Sequence, residues 1–162
     1  AIPKCLDDVC GGNIKHVTLL QDALRGNDRQ VFDLHIVGHM EEGLPMFLDD
    51  DSQPLGQEGY QLIADIIKEA NSAGKLQLVY LGGCHSSLVD KLCDANLPCI
   101  IYWPGQVSFD RTFVDPPPAE LHHEIFCKSR YTDFKSERVA HDLAKQGLVK
   151  AGIQIVNDID DV

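Results

Sequence analysis

The sequence has no apolar run near the roughly 20 residues that a membrane-crossing helix needs. It shows no secretory leader either, although a processed or excised N-terminus would hide one. Basic residues are scarce: 14 Lys and Arg stand against 25 Asp and Glu, a formal net charge of −11. Nucleic-acid phosphates and anionic membrane surfaces both call for a basic footprint, so the charge argues against each. It mildly favours basic partners or substrates. No G-x-G-x-x-G or P-loop pattern occurs, which ranks a small-molecule enzyme built on a phosphate cradle last. Internal repeats are missing, and the only biased tract is Pro116-Pro117-Pro118.

What is present suits one globular domain. The chain has 162 residues, 44 % of them hydrophobic, enough for a core without disulfide staples. The six cysteines are Cys5, Cys10, Cys84, Cys93, Cys99 and Cys127. In a chain of this length and apolar content they read as reduced thiols of a cytoplasmic protein. Cys93 and Cys99 lie in apolar stretches and read as small core residues.

Periodicity predicts helices over residues 14–25, 57–70, 86–95, 119–128 and 136–149. Buried strands are predicted over 31–37, 76–81 and 98–103, with shorter ones at 44–48 and 153–156. In the second helix Leu62, Ile63, Ile66, Ile67 and Ala70 form the apolar stripe, and Gly74 ends it. Near-continuous apolar strands alternating with helices predict an α/β fold, a mostly parallel sheet with helices on both faces. In such sheets sites gather beyond the carboxyl ends of the strands, here the loops after residues 37, 81 and 103.

Those loops carry the chemistry. Strand 31–37 delivers Gly38-His39 and strand 76–81 delivers Gly82-Gly83-Cys84. If the strands are neighbours, an imidazole and a thiol meet at one sheet edge. A thiol is a weak nucleophile near its free pKa of about 8.5, and a nearby imidazolium or a helix N-terminus lowers that value. The helix predicted to begin near Ser86 supplies such a dipole. The backbone N–H of Cys84 is then available to a developing oxyanion. The bland reading is a packing cysteine and a satisfied polar histidine.

The segment Phe32-Asp33-Leu34-His35-Ile36-Val37-Gly38-His39 resembles the histidine strand of the CHAT domains, relatives of caspases and separases. Leu78-Val79-Tyr80-Leu81-Gly82-Gly83-Cys84-His85-Ser86 resembles their nucleophile strand. Cys84 follows His39 by 45 residues, close to the spacing of about 50 found in caspases. Leu97 to Trp103 is similar to the family's next strand. Gln106 to Phe113, with Asp110, resembles the segment after it, and the helix at 136–149 resembles its penultimate helix. The resemblance spans roughly residues 16–156 of a single CHAT-type domain, 1–162.

It implies a caspase-like cysteine endopeptidase in a signalling or regulated-proteolysis role, with a Cys84–His39 dyad and no metal or organic cofactor. Backbone N–H groups of Met40 and Cys84 would hold the oxyanion. Asp110, Trp103 and His85 would line the substrate site, with Asp110 pairing a basic residue before the cleaved bond. The expected partner is a protein or peptide substrate, together with neighbouring domains if the chain belongs to a larger protein. Two departures favour a competing class, an inactive caspase-like scaffold. Met40 replaces the glycine usual after the histidine, and residues 1–13 do not look like the family's first strand.

Other features read more plainly. Asp49-Asp50-Asp51 reads as a solvated turn rather than a cation site. His123 and Cys127 stand at i, i+4 on one helix face, a metal-type pair, but two ligands make no closed site. Asp33 and His35, within the strand, read as structural.

Overall fold

The structure is a computed structural model and describes residues 16–25, 33–37, 40–41, 44–45, 57–82, 88–103, 117–152 and 160–161. The helices are α1 (His16–Arg25), α2 (Gln57–Ser72), α3 (Leu88–Leu92), α4 (Pro118–Cys127) and α5 (Glu137–Lys150). The strands are β1 (Asp33–Val37), β2 (Met40–Glu41), β3 (Leu44–Pro45), β4 (Leu78–Gly82), β5 (Ile100–Tyr102) and β6 (Asp160–Asp161).

The main sheet has the order β1-β4-β5-β6. β1 pairs with β4 and β4 with β5 in parallel, while β6 closes onto β5 antiparallel. β2 and β3 form a separate antiparallel pair. The described residues therefore make a small α/β unit, as the alternation of elements predicts.

β4 reads Leu-Val-Tyr-Leu-Gly and is buried along its whole length. Successive side chains on a strand point to opposite faces, so each face needs its own cover. Val79 and Leu81 join Leu34, Ile36 and Ile100 in one core with Leu20, Leu24, Ile63, Ile67, Leu88 and Leu92. That core belongs to α1, α2 and α3. Leu78 and Tyr80 join Ile101 and Trp103 in a second core with Ala119, Phe126, Ala140, Ala144 and Leu148, from α4 and α5.

The helices stop where chemistry tells them to. α5 starts on Ser136, whose hydroxyl accepts from the Val139 N–H at 3.3 Å, as N-cap serines do. Pro118 occupies the first turn of α4, where its missing N–H costs nothing. Past α2, Gly74 takes φ +71°. There the Lys75 N–H reaches Ala70 O at 3.0 Å and the Gly74 N–H reaches Asn71 O at 2.9 Å, the paired bonds of a Schellman ending. Lys75 Nζ then donates to Leu24 O at 2.9 Å, closing the end of α1 as well.

Several details differ from the sequence reading. Leu62 is 47 % exposed, so the buried stripe of α2 is narrower, and Ala64 joins it. The helix predicted over 86–95 is described as α3 followed by a 3₁₀ turn, Cys93–Ala95, ended by Asn96 at φ 53°. Cys93 is exposed rather than core, its thiol donating to Val89 O at 3.2 Å. β6 was not expected, and the strand predicted at 153–156 lies outside the described residues, as does the segment 1–13. Among the described residues no helix is long and apolar enough to cross a membrane.

An alanine at position 74 would meet nothing within 4 Å, so Gly74→Ala tests the backbone alone. We expect a loss of about 1 kcal/mol, with a smaller loss for Gly74→Asn, which tolerates the left-handed region better. Equal denaturation midpoints for wild type and Gly74→Ala would contradict this helix ending.

Candidate functional site

Parallel pairing of β1 with β4 runs from Asp33↔Leu78 to Val37↔Gly82. Both strands thus leave the sheet at the same edge and in register. His39 follows Val37 by two residues, and Cys84 follows Gly82 by two. His39, Cys84, His85 and Asp110 themselves lie outside the described residues, as does the Asp49-Asp50-Asp51 turn. The last position of β4 is tight: a Cβ on Gly82 would sit 3.0 Å from Tyr80 Cε1 and 3.1 Å from Val37 Cγ2, so those side chains would have to give by a few tenths of an ångström. Met40 opens β2, opposite Pro45 of β3. Trp103 follows β5 with its indole turned into the second core, 7 % exposed and edge-on to His122 at 5.7 Å between ring centres.

The same strands carry a second concentration of polar groups, on the face covered by α4 and α5. β1 alternates: Leu34 and Ile36 enter the first core, while Asp33 and His35 face α4. The π-helical turn Lys128–Thr132 extends α4. In a regular α-helix each i, i+4 step overshoots one turn by about 40°. The wider π turn counters that drift, so His123, Cys127 and Tyr131 stay in one row facing β1.

The hydrogen bonds have a definite sense. The Tyr131 hydroxyl donates to Asp33 Oδ2 at 2.5 Å, leaving its oxygen to accept from His35 Nε2–H at 2.6 Å. A neutral imidazole carries one proton, so His35 turns a bare Nδ1 toward His123. The His123 Nε2–H donates to it at 2.9 Å, and the Cys127 sulfur lies 3.4 Å from that same nitrogen. Arg130 sits behind, its Nε 3.5 Å from Asp33 Oδ2 and its Nη2 2.9 Å from Glu137 Oε1. Deeper in, the Tyr80 hydroxyl and His122 Nδ1 share a hydrogen bond at 2.7 Å, and His122 Nε2 and His141 Nδ1 share another at 3.1 Å. The rings of His35 and Tyr80, paired across β1 and β4, stack at 5.2 Å and 12°.

Burial sets the charge states. His35 and His122 are each pushed down to about 3, chiefly by loss of water; His123 adds repulsion at His35, and His141 at His122. His123 is lowered by burial as well. The Cys127 thiol is pushed up to about 11 by burial, with the Asp33 charge adding to it. Asp33 is raised because burial outweighs the Tyr131 hydrogen bond and the Arg130 charge. Tyr131 is raised by burial and by its bonded carboxylate. At neutral pH these are uncharged rings and a thiol, a set of lone-pair donors rather than of acids.

Sequence reading found the His123–Cys127 pair through its i, i+4 spacing. It did not join the pair to His35, because no local signal links positions 88 residues apart.

A buried neutral histidine makes stability depend on pH. The pKa of His122 in the fold lies far below its ordinary 6.5. Below that value the unfolded chain takes up a proton that the folded one refuses. The stability present above about pH 6.5 is therefore lost as pH falls toward 3, by up to ~1.4 kcal/mol per pH unit for each such histidine. We expect denaturation midpoints to fall steadily from pH 7 to 5. His122→Asn should flatten the slope, and it should cost roughly 1–3 kcal/mol at pH 7 because Tyr80 and His141 lose a partner. A midpoint independent of pH over that interval would show that the histidines charge inside the fold.

Compared with family models, curated proteins and solved structures, the chain finds no match.

Proposed function

We propose that the chain is a cysteine peptidase with a caspase-like fold of the CHAT type, in which Cys84 and His39 act as the dyad. The observation that carries this reading is the in-register exit of β1 and β4. Two parallel neighbours end together at Val37↔Gly82, and each leads within two residues to one member of the pair. Helical layers on both faces of a parallel sheet agree with the architecture the resemblance implies.

In this reading the Cys84 thiolate attacks the scissile carbonyl carbon, and the carbonyl oxygen becomes an oxyanion held by backbone N–H groups of Met40 and Cys84. Collapse breaks the C–N bond, and His39 gives its proton to the departing amine. Water, deprotonated by His39, then attacks the thioester, releasing the carboxylic acid and restoring the thiol. Asp110 would pair a basic side chain before the cleaved bond, most strongly an arginine in a bidentate geometry. His85, in the first turn after Cys84, and the stretch beginning at Trp103 would border the substrate. The competing reading is an inactive scaffold of the same fold, favoured by Met40, which stands where the family carries glycine.

Cys84→Ala and His39→Ala should each abolish peptide cleavage while leaving the thermal midpoint near that of wild type, since both residues lie past strand ends. Cys84 should also be the fastest of the six thiols in limited alkylation near neutral pH. Full cleavage by either variant would remove the dyad; labelling of Cys84 slower than Cys5 and Cys10, with no cleavage of any peptide tested, would favour the scaffold.

A preference for Arg over Leu before the cleaved bond, lost in Asp110→Ala, is the expected specificity. Equal cleavage after both residues would remove Asp110 from the site and leave the dyad standing.

A further inference from the structure

The row of side chains on α4 and the polar face of β1 do more than satisfy one another. Among the described residues, His35, His123 and Cys127 bring three ligand atoms within 4.8 Å of one another. Two nitrogens and a sulfur form the donor set of a borderline-soft cation. Three protein ligands of this kind around tetrahedral zinc hold their donors ~3.3 Å apart for N···N and ~3.6 Å for N···S, as bond lengths of about 2.0–2.1 and 2.3 Å require. The observed separations are 2.9 Å between His35 Nδ1 and His123 Nε2 and 3.4 Å between His123 Nε2 and Cys127 Sγ. The third pair, His35 Nδ1 and Cys127 Sγ, lies within 4.8 Å, so the ion enters as the two short contacts open by a few tenths of an ångström and the sulfur swings toward His35 by up to about 1.2 Å.

A second observation points the same way. A metal-bound imidazole usually donates its other N–H to a carboxylate or a comparable acceptor, which fixes the ring and its tautomer. His35 already has that support: Nε2–H donates to Tyr131, and Tyr131 donates to Asp33. The relay leaves Nδ1 bare and aimed at the other two donors. The three residues are only partly buried, so an ion has a route in from solvent.

We propose that His35, His123 and Cys127 form a binding site for a zinc-type divalent cation, with water as the fourth ligand and with Tyr131 and Asp33 as positioning residues. The ion takes the place of the proton between His123 and His35, and His123 carries that proton on Nδ1 instead, so both rings bind as neutral imidazoles. Cys127 binds as thiolate and gives its own proton to solvent. The bound ion ties β1 to α4, joining a strand of the sheet to the layer that covers it. The site uses neither Cys84 nor His39, and its test does not rest on the function proposed for them.

Cobalt(II) chloride titrated into the whole chain is the probe, since a cobalt–thiolate bond gives a near-ultraviolet charge-transfer band. One equivalent should produce the band, and zinc should displace it. The band should persist in Cys84→Ala and Cys93→Ser and vanish in Cys127→Ser. His123→Gln and Tyr131→Phe should each weaken cobalt binding by about 10–100-fold, the cost typical of losing a ligand's support or more. No band in wild type, or a band kept in Cys127→Ser, would overturn the site. If Cys127→Ser does not fold, alkylation of the wild-type chain decides: zinc should slow the labelling of Cys127 by about 10-fold or more, because only a free thiolate reacts. Equal rates with and without zinc would overturn it as well.

Discussion

β4 is buried on both faces, and most of the architecture follows from that. Leu78, Val79, Tyr80 and Leu81 are all fully enclosed. Fully burying a large apolar side chain is worth roughly 1.5–3 kcal/mol, and alternation along the strand divides that gain between two opposite sides. Neither α1–α3 nor α4–α5 alone could collect it. Burial on both faces also suits parallel pairing, whose crossovers lay helices on each side. Parallel pairing in turn sends β1, β4 and β5 out of the sheet in one direction, so whatever those strands deliver is delivered to one edge.

β1 has a different character. Its Leu34 and Ile36 are buried, Asp33 and His35 are partly buried, and Val37 is 43 % exposed. A carboxylate and an imidazole on a covered strand face are costly unless they are bonded. The π turn after α4 supplies Tyr131 to both and Arg130 to Asp33. His122 and His141, 0 % and 1 % exposed, lie in the same layer with Tyr80. Such networks strengthen one another in a low dielectric and penalise any missing member, so they restrict how α4 and α5 can settle on the sheet.

The parts of the fold that were readable beforehand have a strong period or an end signal. α2 shows its helical stripe and its Gly74 stop, and β4 shows an unbroken apolar run. The neighbour relation of β1 and β4 was a condition of the sequence reading, and the pairing meets it. Long-range polar contacts were not readable. His35 meets Tyr131 across 96 residues and Asp33 meets it across 98, and the alignment depends on a π turn that no residue type announces. Cys93 misled because an apolar neighbourhood in sequence ended as the exposed side of a 3₁₀ turn. Leu62 misled because the apolar residues span more of α2 than the core takes up.

Two histidines stand four residues apart on and just past β1, and the chemistry proposed for each is different. His35 is held neutral, its pKa pushed down to about 3, and its proton is committed to Tyr131. An imidazole so far from its ordinary range cannot exchange protons usefully near neutral pH, since a general acid–base works best with a pKa near the working pH. Its remaining property is a fixed lone pair, which is what a metal ligand needs. His39 follows Val37, the last registered position of β1, by two residues, and it is the histidine proposed for the dyad. The pattern Asp-Leu-His-Ile-Val-Gly-His thus carries two separable roles, one read from burial on the strand and one proposed for the residue past its end. The proposed cation site and the proposed dyad accordingly draw on different histidines, so a substitution at His35 and one at His39 probe different proposals.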